Sequence, residues 1–176
     1  MNILLLYPEF PDTFWSFKHA LTFVNREASN PPLGLITVAA MLPREWNKRL
    51  VDMNVQLLSQ RDLEWADIVM VSAMDVQRQA AHLLTGRAKA AGKMVVAGGP
   101  LFTAEYEAFP EVDHFILNEG EITLPQFLAD LAEGCAKRVY STDQYADIHS
   151  APLPLFELLD LDRYDSFGIQ FSRGCP

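Results

Sequence analysis

The sequence predicts an α/β fold, a parallel sheet wrapped by helices on both faces. Three observations predict it. Short apolar runs rich in valine, isoleucine and leucine, at 2–7, 67–72 and 94–97, have the composition of strands buried on both faces. Stretches with helical patterning stand between them, so strand and helix alternate. The runs end on proline, glycine or other small residues, as in Val95-Val96-Ala97-Gly98-Gly99-Pro100, where the chain turns sharply and bare backbone is left for a ligand to approach.

Taken in order, residues 2–7 (Asn-Ile-Leu-Leu-Leu-Tyr) predict a buried first strand ended by Pro8. The aromatic-rich stretch 9–32 is a long loop, a kind that is usually functional or partly disordered, and 13–25 within it has the makings of a short helix. Asn30-Pro31-Pro32 predicts a helix start, with Asn30 as cap and Pro32 near the first turn. Residues 33–42 are apolar nearly all round, which presses this helix against the sheet, and Pro43 helps to end it. A second strand is expected at 48–53, a helical turn at 62–65 and a third strand at 67–72. Residues 75–91 predict a helix with alanine and leucine on one side, followed by Gly92 as its left-handed stop. The fourth strand is 94–97, and a short helix capped by Thr103 is expected over 103–109. The fifth strand is 112–117, Asn118-Glu119-Gly120-Glu121 is a turn, and the last helix is 123–133, stopped by Gly134. Five strands in this rhythm fit the flavodoxin-like (Rossmann-like) order 2-1-3-4-5.

Beyond Gly134 the pattern breaks. Residues 1–135 are therefore expected to form one domain and 136–166, rich in Pro and Asp, an extended linker or arm. Residues 167–176 are expected to open a further strand and a truncated domain. The chain has 176 residues, a net charge of −9 and a pI of about 4.8. That balance argues against a basic nucleic-acid surface and against docking on an anionic membrane. No apolar run reaches bilayer length, and the N-terminus lacks the basic start of a signal peptide. The two cysteines, Cys135 and Cys175, form no disulfide framework, so a cytoplasmic location is expected.

The strand ends of such a sheet collect at one edge. They are Tyr7-Pro8, Ser72-Ala73-Met74, Gly98-Gly99-Pro100 and Asn118-Glu119-Gly120-Glu121, and three of the four offer glycine or small residues. They predict a cleft that accepts something large through backbone contacts rather than a catalytic constellation. There is no phosphate-binding Gly-Lys-Ser/Thr loop and no histidine pair at helical spacing; His19, His82, His114 and His149 are scattered surface or loop residues. Glu119 and Glu121 read as support for the following helix dipole rather than as an acid/base pair.

With these motifs in place, the chain resembles the N-terminal cobalamin (B12)-binding domain of a B12-dependent radical S-adenosylmethionine protein. Such domains carry Ser-x-Leu after the third strand and Gly-Gly after the fourth; here Ser72-Ala73-Met74 and Gly98-Gly99 stand in those places. Asn30-Pro31-Pro32-Leu33-Gly34-Leu35 and Asn118-Glu119-Gly120-Glu121 are similar to typical segments of these domains. The resemblance implies cobalamin as cofactor, a serine hydroxyl on its nucleotide tail and glycines that let the tail pass between sheet and helix. The implied binding set is Tyr7, Pro8, Ser72, Ala73, Met74, Gly98, Gly99, Pro100, Asn118, Glu119 and Gly120. One motif departs from the pattern. The Asp-x-His-x-x-Gly that follows the first strand in many cobalamin proteins is missing from 8–32, and Asp147-Ile148-His149 lies beyond the last helix with Pro152 where the glycine would stand. No histidine on the lower face of cobalt is therefore expected.

Phe171-Ser172-Arg173-Gly174-Cys175-Pro176 resembles the opening of a radical S-adenosylmethionine barrel. In that family a Cys-x-x-x-Cys-x-x-Cys loop holds a [4Fe–4S] cluster and leaves one iron open to S-adenosylmethionine. Cys175 stands at the first cysteine, and one thiolate holds no cluster. The resemblance thus implies the cluster and S-adenosylmethionine only for a full-length parent, whose missing radical S-adenosylmethionine domain would be this domain's partner; the fragment itself is expected to be inert in that chemistry. For the parent it implies methyl transfer to an unactivated carbon, or cyclisation or rearrangement. A rival from another class is a non-catalytic flavodoxin-like module for signalling or partner binding, such as a receiver. Receivers need clustered aspartates and a lysine after the fifth strand; Asp52 and Asp75 stand near strand ends, but no lysine follows Leu117.

Overall fold

Side chains in a strand alternate between faces, and the apolar runs of this chain obey that alternation. Leu4, Leu6, Val69, Val71, Val95, Ala97 and Phe115 enter one core; Ile3, Leu5, Ile68, Met70, Val96 and Ile116 enter the other. The computed structural model describes residues 1–12, 21 and 23–170. Its strands are β1 (Asn2–Tyr7), β2 (Asn47–Asp52), β3 (Ile68–Ser72), β4 (Met94–Gly98), β5 (His114–Ile116) and β6 (Val139–Tyr140). All pair in parallel, in the order β2-β1-β3-β4-β5-β6. The predicted order 2-1-3-4-5 is thus the observed one, lengthened by a sixth strand.

Two helical layers cover the sheet. On the first face lie α2 (Gln60–Trp65), α3 (Arg78–Ala90) and α4 (Pro100–Glu105), through Leu63, Ala81, Leu84, Leu101 and Phe102. On the second lie α1 (Leu33–Met41) and α5 (Gly120–Ala132), through Leu35, Ile36, Ala39, Leu124 and Phe127. Each fully buried leucine or phenylalanine stabilises the fold by about 1.5–3 kcal/mol relative to an exposed one.

Helix starts and caps differ from expectation: α2 begins at Gln60 rather than Asp62, and α3 at Arg78 behind a 3-10 turn over Asp75–Gln77. Pro32, not Asn30, precedes α1, and the Asn30 amide oxygen accepts from Ser166 Oγ at 3.0 Å instead. The helix expected from Thr103 begins at Pro100, because proline suits the first helical position, where no N–H is needed. Thr103 Oγ1 is then left to accept from Asn118 N at 3.1 Å. Gly120 and Glu121 form the first turn of α5 rather than the turn before it.

The arm expected over 136–166 is packed. Val139 and Tyr140 pair with Phe115 and Ile116, and Tyr140 is buried with its hydroxyl donating to Asp130 at 2.8 Å. The chain then crosses α1, where Leu155 N donates to Ile36 O at 3.1 Å and Leu155, Leu158 and Leu159 pack on the second core. It finishes beside β2. There Tyr164 donates to Asp52, Arg163 donates to Val55 O, and Asp165 N and Ser166 N donate to Ala28 O and Ser29 O. Residues 167–170 carry no regular structure. The remainder of the strand expected from 167, with Cys175, lies outside the described residues, as do His19 and most of 13–25.

Candidate functional site

A cavity of about 790 Å³ opens at the carboxyl edge of the sheet, on the face covered by α1 and α5. That volume is in the range of ordinary small-molecule sites. Its walls are Gly34, Thr37, Val38 and Met41 of α1, Leu124 of α5, and Met70, Val96 and Ile116 of the sheet. Ser72, Gly98, Gly99, Pro100, Asn118, Glu119 and Gly120 line it at the strand ends. The arm closes another side with Ile148, the stretch Ala151-Pro152-Leu153-Pro154 and Phe156, joined by Gly168, Ile169 and Gln170.

The two glycines after β4 are dictated by close backbone approach. A Cβ on Gly98 would stand 2.7 Å from Ile116 O on the neighbouring strand. Gly99 has φ 93, and a Cβ there would stand 2.6 Å from Ser72 Oγ and 3.3 Å from Ala73 O. Their neighbours, as much as any ligand, exclude a side chain, and the result is a rim of bare backbone. Gly34 differs: a Cβ built on it meets nothing within 4 Å.

Seven of the eleven predicted binding residues line this cavity: Ser72, Gly98, Gly99, Pro100, Asn118, Glu119 and Gly120. Asn118, at φ 60, also donates through Nδ2 to Thr142 O at 2.7 Å, and Glu119 Oε2 accepts from Ala146 N at 3.2 Å, so both secure the start of the arm. Tyr7, Pro8, Ala73 and Met74 stand at the same carboxyl edge but outside the lining. Burial, followed by the charge of Asp52, pushes the Tyr7 hydroxyl up to about 12, and its ring meets Phe10 edge-on at 5.9 Å. Gln77, buried, donates to Pro8 O and accepts from Met74 N, tying the loop after β1 to the loop after β3. Ala73 is buried with its carbonyl accepting from Leu101 N at 3.1 Å, while Met74 is exposed.

Sequence reasoning missed the walls: Thr37, Val38, Met41, Met70, Val96, Ile116 and Leu124. One signal was available. Residues 33–42 are apolar on every side, more than a helix lying on one sheet requires. The surplus faces the cavity and the arm. His82 stacks on Phe109 at 3.9 Å, and His114 Nδ1 lies 2.7 Å from Lys137 O, both away from the cavity. Among the described residues no cluster of three or more His, Cys, Asp or Glu is placed to hold a metal ion, and no helix is long and apolar enough to cross a membrane.

The B12-binding domain family matches residues 21–128. The chain is 45% identical, over 100% of its length, to 33% of an uncharacterized methyltransferase of Synechocystis sp.. It is 33% identical, over 99% of its length, to 34% of the hopanoid C-2 methylase of Rhodopseudomonas palustris. It is 27% identical, over 84% of its length, to 39% of an uncharacterized methyltransferase of Pyrococcus horikoshii. The chain thus spans about a third of the length of the first two of these curated relatives. No solved structure matches it.

Proposed function

The chain belongs to the B12-binding domain family, and from that premise we propose that the cavity between α1, α5 and the sheet receives the nucleotide tail of cobalamin. One observation carries this: the cavity opens where β3 and β4 end in Ser72 and Gly98-Gly99. Ser72 would meet the tail through its hydroxyl, Gly98 and Gly99 would offer backbone without side chains, and the apolar walls would exclude water from the base. The corrin would lie over the carboxyl edge, beside Tyr7, Pro8, Ala73 and Met74, with no histidine supplied to the lower face of cobalt. Bound cobalamin supplies a cobalt centre able to carry a methyl group; this domain supplies its position.

For the longer protein we propose methyl transfer in preference to cyclisation or rearrangement, since the curated relatives are named methyltransferases or a methylase. Cys175 would be one of three cluster ligands there, beside a radical S-adenosylmethionine domain. The receiver-like alternative loses its aspartates: Asp52 is buried against Asn54 and Tyr164, and Asp75 pairs with Arg78 at 2.5 Å.

The test is titration of the chain with hydroxocobalamin, followed by visible absorption. Saturable binding is expected. Gly34→Trp, whose Cβ would stand in open space on the cavity lining, should abolish binding in a chain whose circular dichroism shows it folded, whereas Gly34→Ala should keep it. Unaltered affinity in Gly34→Trp would remove the tail from this cavity.

A further inference from the structure

We propose that this cavity selects among corrinoids by the base that ends the nucleotide tail, favouring an apolar benzimidazole over a purine. This rests on the cavity being the tail slot. The side chains at its base are hydrocarbon or thioether: Met70, Val96, Ile116 and Leu124, all buried, with Val38 and Met41 above them on α1. Thr37 is the polar side chain of the α1 wall, and its hydroxyl already donates to Leu33 O at 2.8 Å. Ser72, Asn118, Glu119 and Glu121 stand at the ends of strands and the first turn of α5, at the rim rather than the base. The backbone of β3, β4 and β5 is engaged in the ladder. Gln170, the other polar side chain of the lining, comes from the arm and not from the sheet, so the polar groups of the cavity surround an apolar base.

Benzimidazole loses little in such surroundings. Adenine brings an exocyclic amine and additional ring nitrogens, which give up water and find no replacement. An unsatisfied buried polar group weakens binding by roughly ten- to a hundredfold. The pocket should therefore discriminate by polarity, not by size.

The full 176-residue chain is titrated with three hydroxo-corrinoids: cobalamin, its adenine-bearing analogue, and cobinamide, which has no nucleotide. The expected order is cobalamin tightest, the adenine form roughly ten- to a hundredfold weaker, and cobinamide weakest. Equal affinity for the benzimidazole and adenine forms, both above cobinamide, overturns the selectivity and leaves the tail slot standing. Cobinamide binding as tightly as cobalamin overturns the tail slot itself. Failure of all three to bind overturns the cobalamin reading.

Discussion

Tyr164→Phe deletes one hydroxyl from the far end of the arm. Tyr164 is 2% exposed, and that hydroxyl donates to Asp52 Oδ2 at 3.0 Å across 112 positions of sequence. Asp52 is 1% exposed, and its other oxygen accepts from Asn54 N at 2.9 Å and Asn54 Nδ2 at 2.7 Å. These donors are neutral, so burial outweighs them and the Asp52 carboxyl is pushed above its ordinary range. The Tyr164 hydroxyl is raised as well, first by burial and then by the Asp52 charge. Removing it leaves Oδ2 buried without its donor, a loss of about 1–3 kcal/mol. For a domain of this size that corresponds to a fall in Tm of roughly 2–12 °C. Urea unfolding followed by far-UV circular dichroism measures the loss. Limited proteolysis reports the arm separately, because Leu153 is 88% exposed and cleavage near it should quicken once the anchor slackens. Pro152, Pro154 and Phe156 line the cavity, so cobalamin affinity should fall in parallel. A variant within about 0.5 kcal/mol of the parent, with the same cleavage rate, would refute the anchor. Asp52→Asn separates charge from shape. An acid whose folded pKa is raised contributes most below its unfolded value, here 3.8, and loses that contribution as pH rises through the folded pKa. The stability of Asp52→Asn relative to the parent should therefore improve with rising pH.

Other outcomes follow from single contacts. Gly98→Ala places a Cβ 2.7 Å from a backbone oxygen of β5 and should destabilise by about 1–3 kcal/mol in urea unfolding, whereas Gly34→Ala, in open space, should be neutral or stabilising by up to about 1 kcal/mol. For Asp113, partial burial pushes the carboxyl up, but hydrogen bonds from Lys89 at 2.5 Å and Val95 N at 2.9 Å, with the Lys89 charge, outweigh it and the pKa is lowered. A lowered acid contributes above its unfolded pKa and loses that contribution as pH falls through the folded value. Asp113→Asn should thus destabilise at neutral pH and progressively less in acid, and an effect independent of pH would contradict the pairing.

The pattern of apolar runs alternating with helical stretches determined the strands and their parallel order. Runs such as Val95-Val96-Ala97 have one favourable environment, a sheet buried on both faces, and the residues that end them were readable for the same local reason. Ser72, Gly98 and Gly99 are such residues, and all three line the cavity. Tyr7, Pro8, Ala73 and Met74 share their edge, but the lining turns with the face of the sheet, and a strand end read alone does not say which face is hollow. Only the tertiary structure decided that α1, α5, the strand ends and the arm together enclose a cavity, that Gly98 yields to Ile116 O, and that the arm returns. β6 is two residues long, and the arm is held by contacts such as Tyr164 to Asp52 that no local pattern encodes. Strands are written in neighbouring residues, whereas a cavity exists only where distant segments fail to meet.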